Sequence, residues 1–207
     1  MRTKKTLKTI LCIIFLLMGT SSCAESRTVT ETGDSLMLLL ENRRSIRRYT
    51  SERIDRQTLD YIMKAGAFAP SSYGQNPVEF IVVEDMEKLK DVARAKRIGA
   101  PSVRNAAAAI IVVADTSKGE LWVEDSSVAA GYILLAAVQK GIGACWNQIR
   151  DRDGQRLSAS DEIKEILDIP SRYEVLCVIA LGHPAESKSP RTEKEMNVNG
   201  RTHYGQF

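Results

Sequence analysis

The chain has few residues of the types that usually bind metal ions. It contains two histidines and four cysteines in 207 residues, and His183 and His203 have no second ligand at a zinc-binding spacing. A strong excess of basic charge is also lacking. Without positions 1–22, which hold four basic residues and no acid, the chain has 25 basic and 26 acidic side chains and a net charge of −1. The sequence therefore predicts no metal site and offers no global electrostatic argument for nucleic-acid binding.

The N-terminal segment has the order of a secretory signal. Basic residues precede an apolar run from Ile10 to Met18, and small polar residues then lead to Cys23. Small residues directly before a cysteine resemble a bacterial lipoprotein signal. We therefore predict a signal peptide over 1–22, lipidation of Cys23, a polar linker over 23–34 and a folded domain over 35–207.

This organisation predicts a location for the mature chain. Its lipid would attach it to a membrane on the periplasmic or cell-surface side. Simple secretion, or a retained anchor on the cytoplasmic side, are the alternatives. Cys145 and Cys177 remain inside the folded domain, both in apolar surroundings. We predict that they are small buried core residues, with a disulfide between them as the alternative in an oxidising compartment.

Helical and strand patterns alternate along the domain. The longest predicted helix, Glu120 to Lys140, is apolar nearly all round between Val128 and Val138, so it is either central or shared with a second subunit. Together the elements predict an α+β or α/β fold with both faces of the sheet covered. The other predicted helices are Ser35–Asn42, one capped by Asp55 and running to Phe68, Asp85–Arg97, and one capped by Ser158 or Ser160 and ending near Ile169. The predicted strands are Val78–Val83, Ala106–Ala114, one near Trp146, and Tyr173–Leu181.

Four arginines surround a serine at the end of the first predicted helix. Guanidinium groups bind phosphate oxygens in pairs, and the hydroxyl of Ser45 adds a donor. A second basic pair follows far downstream. Most such clusters, seen alone, are solvated helix ends, but Ser45 and the downstream pair favour an anion site here. Nucleic-acid contact is disfavoured because no aromatic residues separate the charges. The residues are Arg43, Arg44, Arg47 and Arg48, with Lys188 and Arg191.

A second candidate is the loop from Pro70 to Pro77, between an amphipathic helix and an apolar strand. Its Pro, Ser, Gly and Asn residues are common in turns. Its position on rigid supports also suits a binding site, where Ser71, Ser72 and Asn76 offer small polar groups to the edge of a ring.

The order of several motifs resembles the flavin-dependent nitroreductase family over residues 36–195. The motifs are Arg-Arg-Ser-Ile-Arg-Arg-Tyr from position 43, Ala-Pro-Ser-Ser from 69, Trp-Val-Glu-Asp from 122, Gly-Ile-Gly-Ala-Cys-Trp from 141, and Leu-Gly-His-Pro from 181. The resemblance implies an α+β three-layer sandwich, with a central mixed sheet flanked by helices, in an intertwined homodimer. FMN would bind at the interface between the two subunits.

The resemblance also implies roles for individual residues. Arg43, Arg44, Ser45 and Arg47 would hold the phosphate, ribityl chain and pyrimidine edge of FMN. Lys188 and Arg191 would close on the phosphate. The remaining contacts would come from Ser71, Ser72 and Asn76 of the other subunit, and from backbone groups of Trp146, Asn147 and Gln148 near the flavin N5.

The implied activity is transfer of a hydride from NAD(P)H through FMN to a nitroaromatic, a quinone or a similar conjugated acceptor. No side chain is assigned as a catalytic acid or base, because the cofactor carries the chemistry. Two alternatives share the fold. One is a lipoprotein that binds flavin or another ligand without nicotinamide-driven turnover, and the other is a specialised flavin enzyme.

Overall fold

The computed structural model describes residues 35–207, so the predicted signal peptide, the lipidation site and the linker lie outside the described residues. Seven α-helices and four strands follow one another along this part of the chain. The helices are α1 (Ser35–Asn42), α2 (Arg56–Ala67), α3 (Met86–Ala95), α4 (Pro101–Arg104), α5 (Trp122–Gln139), α6 (Ala159–Leu167) and α7 (Glu193–Met196). The strands are β1 (Val78–Val83), β2 (Ala108–Asp115), β3 (Gly143–Gln148) and β4 (Tyr173–Gly182).

The strands form one sheet in the order β1-β2-β4-β3, and all three pairings are antiparallel. Within residues 35–207 the only parallel pairing is an isolated bridge between Ser45 and Ala144. The sheet is therefore mixed only through this bridge, which corrects the expectation of a mixed central sheet. The α+β class with a covered sheet is confirmed.

Two hydrophobic clusters cover the two faces of the sheet. Every residue of β2 is buried, and successive side chains of a strand point to opposite faces. Ile110 packs in a cluster with α2 and α5, whereas Ile111 packs in a cluster with α3, α4 and α6. The sheet is thus the middle of three layers, as the resemblance implies.

Helix starts follow the capping residues in the sequence. Asp55 accepts a hydrogen bond from the backbone N–H of Thr58 at 2.8 Å and begins α2. Asp85 caps α3, and Ser158, rather than Ser160, caps α6. The short helices α4 and α7 were not predicted. The sequence does carry a signal for α7, because Thr192 and Glu195 form a capping box.

The side chains of the two cysteines point to opposite faces of the sheet. Cys145 belongs to the cluster around α3 and α6, and Cys177 to the cluster around α2 and α5. Both are buried and unlinked, which confirms the prediction of small core residues. A disulfide is excluded because the sheet separates the thiols. Burial raises the pKa of Cys177 well above its usual range.

One face of α5 is not covered within the chain. Ala130 and Ile133 are fully buried, but Val128 is 40% exposed and Tyr132 41% exposed. The first helix, α1, packs beside α5 and has no buried residue. The alternative of a central helix covered within one subunit is therefore wrong, and a helix shared with a second subunit stays a prediction. No helix among residues 35–207 is long and apolar enough to cross a membrane.

Candidate functional site

The arginine segment crosses the open edge of the sheet directly after α1. The backbone N–H of Ile46 donates to the carbonyl oxygen of Ala144 in β3 at 3.0 Å. Glycine is required beside it, because a Cβ atom on Gly143 would lie 2.8 Å from the Ile46 side chain. The contact holds residues 43–48 against β3, so the predicted phosphate cations and the strand predicted to face the flavin are neighbours.

The segment after β4 runs antiparallel along the arginine segment. Starting from the Tyr49–Pro184 bridge, residue numbers fall along the arginine segment while they rise along the segment after β4. The backbone contacts are Thr50 N to His183 O at 2.9 Å, Ala185 N to Arg48 O at 2.9 Å, and Arg191 N to Glu41 O at 2.8 Å. This pairing brings the downstream basic residues beside the upstream arginines.

Side chains reinforce the same pairing. The Lys188 ammonium donates to the carbonyl oxygen of Ser45, and the Arg44 guanidinium donates to the carbonyl oxygen of Ser189. Lys188 and Arg44 are therefore engaged in joining the two segments. The position that starts the pairing is tight, because a Cβ atom on Gly182 would lie 2.7 Å from Tyr49.

Three cations of the group remain available to a ligand. The guanidinium groups of Arg43, Arg47 and Arg191 form no ion pair or side-chain hydrogen bond with any other residue of 35–207. Arg43 is half-buried. Together with Arg191 it lines a cleft of about 360 Å³ between α1 and the C-terminal segment, whose other lining residues include Met37, Leu40, Met196 and the acidic residues Glu41 and Glu193. A group with two or more anionic oxygens fits this donor set.

The strand β3 presents backbone groups at the same edge. It is an edge strand, and the bond from Ile46 shows that Ala144 turns its carbonyl outwards. Backbone orientation alternates along a strand, so Trp146 and Gln148 also direct their backbone groups to the open edge. The backbone N–H and C=O groups of Trp146 and Gln148 can therefore form hydrogen bonds with the donor and acceptor atoms of a planar ring.

The side chains of the three predicted β3 residues divide between the two faces of the sheet. The Trp146 indole N–H donates to the Gln148 side-chain oxygen at 2.9 Å on the face of α2 and α5. Asn147 points to the other face, where its amide oxygen accepts from Ser102 at 2.9 Å and its nitrogen donates to the carbonyl of Cys145 at 3.0 Å. Asn147 thus anchors the strand from this face.

The loop around Ser71 is ordered by its own polar groups. The backbone N–H of Asn76 donates to the Ser71 hydroxyl oxygen at 2.9 Å, and Tyr73, Gly74 and Asn76 have left-handed backbone conformations. Tyr73 is 94% exposed at the loop tip. A left-handed tyrosine is uncommon, and the surrounding hydrogen bonds hold it in place.

The structure does not bring this loop to the arginines of the same chain. No hydrogen bond or ion pair within residues 35–207 joins the loop to the arginine segment or to the segment after β4. The loop borders a separate cavity of about 430 Å³, which is lined by Pro70, Ser71, Asn76, Phe80 and Asp125 among others. The assignment of Ser71, Ser72 and Asn76 to the other subunit's flavin stays a prediction.

Two acidic residues in this region were missed by the sequence reasoning. Asp125 lies on α5, is buried, and accepts from both the backbone N–H and the hydroxyl of Ser72. Glu186 lies inside the cation group and accepts from the backbone N–H of Arg47 at 2.6 Å. The Trp-Val-Glu-Asp motif could have pointed to Asp125. Glu186 could have been noticed as an acid within an otherwise basic stretch.

Comparisons with known proteins agree with this arrangement. A sequence profile described as the nitroreductase family matches residues 40–122 and 94–183. A provisionally named NADH dehydrogenase/NAD(P)H nitroreductase of Archaeoglobus fulgidus is 37% identical over 159 residues, which are 75% of this chain and 88% of that protein.

Solved structures with the same fold include proteins whose descriptions mention FMN. An FMN-dependent nitroreductase of Clostridium difficile has a TM-score of 0.78 and 38% identity, and the match covers 82% of this chain and 98% of that one. A provisionally assigned nitroreductase of Desulfovibrio desulfuricans, described as a complex with FMN, has a TM-score of 0.67 and 27% identity, with 86% and 99% coverage.

Proposed function

The chain belongs to the nitroreductase family, and we propose on that basis that it is an FMN-dependent oxidoreductase. It takes a hydride from NAD(P)H and passes it to a nitroaromatic, a quinone or a similar conjugated acceptor. The observation that carries this proposal is the pairing of the arginine segment with the segment after β4, next to the open edge of β3. The relatives support it through their names, since one includes NAD(P)H and two solved structures include FMN.

The residues fit the phosphate of FMN. Arg43, Arg47 and Arg191 supply planar cations that form no ion pair within residues 35–207, and Ser45 lies between the first two in sequence. A phosphate monoester carries close to two negative charges near pH 7 and accepts several charge-assisted hydrogen bonds. Arg44 and Lys188 differ from these three cations, because their side chains join the arginine segment to the segment after β4. We propose that they position the phosphate site, although each also adds positive charge to it.

We propose that the isoalloxazine ring lies beside β3. Backbone groups of Trp146 and Gln148 face the open edge, and Asn147 fixes the strand from the opposite face. When bound, FMN supplies the two-electron chemistry by accepting a hydride from a nicotinamide and giving it to the acceptor. The residues of this chain bind and orient the ring and shield one side of it. A guanidinium beside the pyrimidine edge also favours negative charge there.

We propose a homodimer in which each flavin contacts both subunits. The uncovered apolar face of α5, with Val128 and Tyr132, continues onto α1, where Leu36 is 58% and Met37 50% exposed. Exposed apolar surface of this extent on neighbouring helices suits a subunit interface. The dimer also gives the loop from Ser71 to Asn76 a role, since no hydrogen bond or ion pair within residues 35–207 joins it to the arginines of its own chain.

We further propose that the enzyme is held at a membrane by a lipid on Cys23, with residues 1–22 removed. The support is the order of basic, apolar and small residues in the sequence. Growth with a clickable fatty acid should label the full-length chain and a Ser22→Ala variant, but not a Cys23→Ala variant. Equal labelling of the Cys23→Ala variant, or none of the unaltered chain, would contradict the lipid attachment.

The activity is tested with the full-length chain purified in a mild detergent. Flavin absorbance should co-purify with it, and anaerobic NADH or NADPH should bleach that absorbance. A quinone or a nitroarene should then restore it. A yellow protein that nicotinamides do not bleach would favour flavin binding without nicotinamide-driven turnover, or a specialised flavin enzyme. A folded protein that takes up no FMN would overturn the proposal.

A further inference from the structure

The carboxylate of Glu186 lies within the group of cations that is proposed to bind phosphate. The side chain of Glu186 is only 12% exposed. It accepts from the backbone N–H of Arg47 at 2.6 Å and from the Arg48 guanidinium at 3.4 Å, and the Lys188 ammonium lies 3.6 Å away. The hydrogen bond from the backbone N–H of Arg47 is the main reason why the pKa of Glu186 lies below its usual value, although burial acts in the opposite direction. The group is therefore ionised near neutral pH.

This carboxylate fixes a segment that has no regular secondary structure. Residues 43–48 follow α1 and form neither a helix nor a strand. Two consecutive backbone N–H groups connect the segment to different parts of the fold. That of Ile46 donates to β3, and that of Arg47 donates to Glu186. Because the backbone sets the direction in which a side chain starts, these two contacts fix where the Arg47 side chain leaves the segment.

Glu186 has two opposing effects on a bound anion. Its oxygen atoms order the backbone that presents the cations, which favours binding. Its negative charge lies among the same cations and opposes the approach of a second anion. An amide at this position keeps an oxygen acceptor but removes the charge, whereas a methyl group removes both. The two effects can therefore be separated by substitution.

We propose that Glu186 is a positioning residue of the phosphate site, which acts through its hydrogen bond to the backbone of Arg47 rather than through its charge. This inference rests on the proposed FMN function. It assigns to Glu186 an effect on the phosphate end of the flavin alone. Riboflavin, which has the same ring without the phosphate, is the matched ligand that separates this effect from general loosening of the site.

The experiment uses the full-length chain in mild detergent, with its flavin removed and then titrated back while flavin fluorescence is followed. Glu186→Ala should raise the Kd for FMN about 10-fold, the scale expected when a charge-assisted hydrogen bond is lost. Glu186→Gln should lower it about threefold, because repulsion of the phosphate disappears while the acceptor remains. Riboflavin affinity should change less than about twofold in both variants, since it lacks the group concerned. Glu84→Gln, which removes an exposed charge elsewhere, should behave like the unaltered chain.

Hydrogen exchange of the flavin-free chain gives a second readout. Amides of residues 45–48 should exchange faster in the Glu186→Ala variant and at the original rate in the Glu186→Gln variant. Equal FMN affinities for the two variants, or an equal loss of FMN and riboflavin binding in the Glu186→Ala variant, would overturn the positioning role. If the unaltered chain binds neither flavin, the proposed function fails first and this inference fails with it.

Discussion

The carboxylate of Asp125, in the first turn of α5, accepts hydrogen bonds from both the backbone N–H and the hydroxyl of Ser72, each at 2.9 Å. A buried side chain of the longest helix thereby holds the loop that is predicted to reach the other subunit's flavin. The helix and the loop are 53 positions apart in sequence. The conformation of the loop consequently depends on the folded core and not only on its turn residues.

Substitution of Asp125 should loosen this loop. Asp125→Ala leaves two partly buried donors without an acceptor, and we expect the free energy of unfolding to fall by about 2 kcal/mol. Asp125→Asn keeps one side-chain oxygen and should lose less than half of that amount. Urea denaturation measures the stability, and hydrogen exchange of residues 71–76 should rise only in the alanine variant. An asparagine variant as unstable as the alanine variant would show that the charge, not the acceptor, holds the loop.

The phosphate assignment predicts a selective loss of affinity. Arg43→Ala and Arg191→Ala each remove a guanidinium that has no partner among residues 35–207, and each should weaken FMN binding by about 1.5–3 kcal/mol. Riboflavin binding should change little in either variant. Arg53→Ala, which removes an exposed arginine nearby, is the matched control. Unchanged FMN occupancy in both test variants would discredit the assignment.

Acid should remove the contribution of Glu162 to the stability of the fold. This buried carboxylate accepts from the backbone N–H groups of Arg156 and Leu157. Burial alone would raise its pKa, but these bonds outweigh burial and the pKa lies below its ordinary value of 4.5. Because the pKa is lower in the folded state than in the unfolded state, the stabilisation is fully present above pH 4.5 and is lost as the pH falls through the folded-state value.

Glu162→Gln should therefore be less stable than the unaltered chain by about 1 kcal/mol at pH 7. The difference should shrink towards zero as the carboxyl becomes protonated in acid. Urea denaturation at pH 7 and at about pH 3.5 tests this, since the lower value lies well below the unfolded-state pKa of a glutamate. An equal difference at both pH values would contradict the role of the charge.

The local parts of the fold could be read from the sequence because their causes are local. Asp55 and Asp85 cap helices with the next few residues, and β2 is an unbroken apolar run. The ends of these elements agree with the predictions to within a few residues. The buried cysteines likewise follow from the apolar residues on either side of them.

The parts that were missed depend on contacts between distant residues. The bond from Arg47 to Glu186 spans 139 positions and the bond from Lys188 to Ser45 spans 143, so no pattern within a window of the sequence could show them. The division of Trp146 and Asn147 between two faces follows from the strand register. The separation of the Ser71 loop from the arginines required the positions of α5 and β3. The residues proposed for the site were found by resemblance, but the pairing that supports them was not.

The last prediction concerns the uncovered apolar surface on α5 and α1. If this surface is the subunit interface, the full-length chain in detergent should have twice the mass of one chain by light scattering corrected for detergent. Val128→Arg would bury a charge without a partner in that interface. We expect this variant to be monomeric and to lose FMN, because the second subunit's loop would be absent from each site.

Ile98→Arg provides the control, since Ile98 is 81% exposed in the segment between α3 and α4. It introduces the same charge at another exposed apolar position and should leave both the mass and the flavin content unchanged. A Val128→Arg chain that stays dimeric and yellow would place the interface elsewhere. A variant that becomes monomeric yet keeps FMN would show that one subunit is sufficient to bind it, and the loop from Ser71 to Asn76 would then need another role.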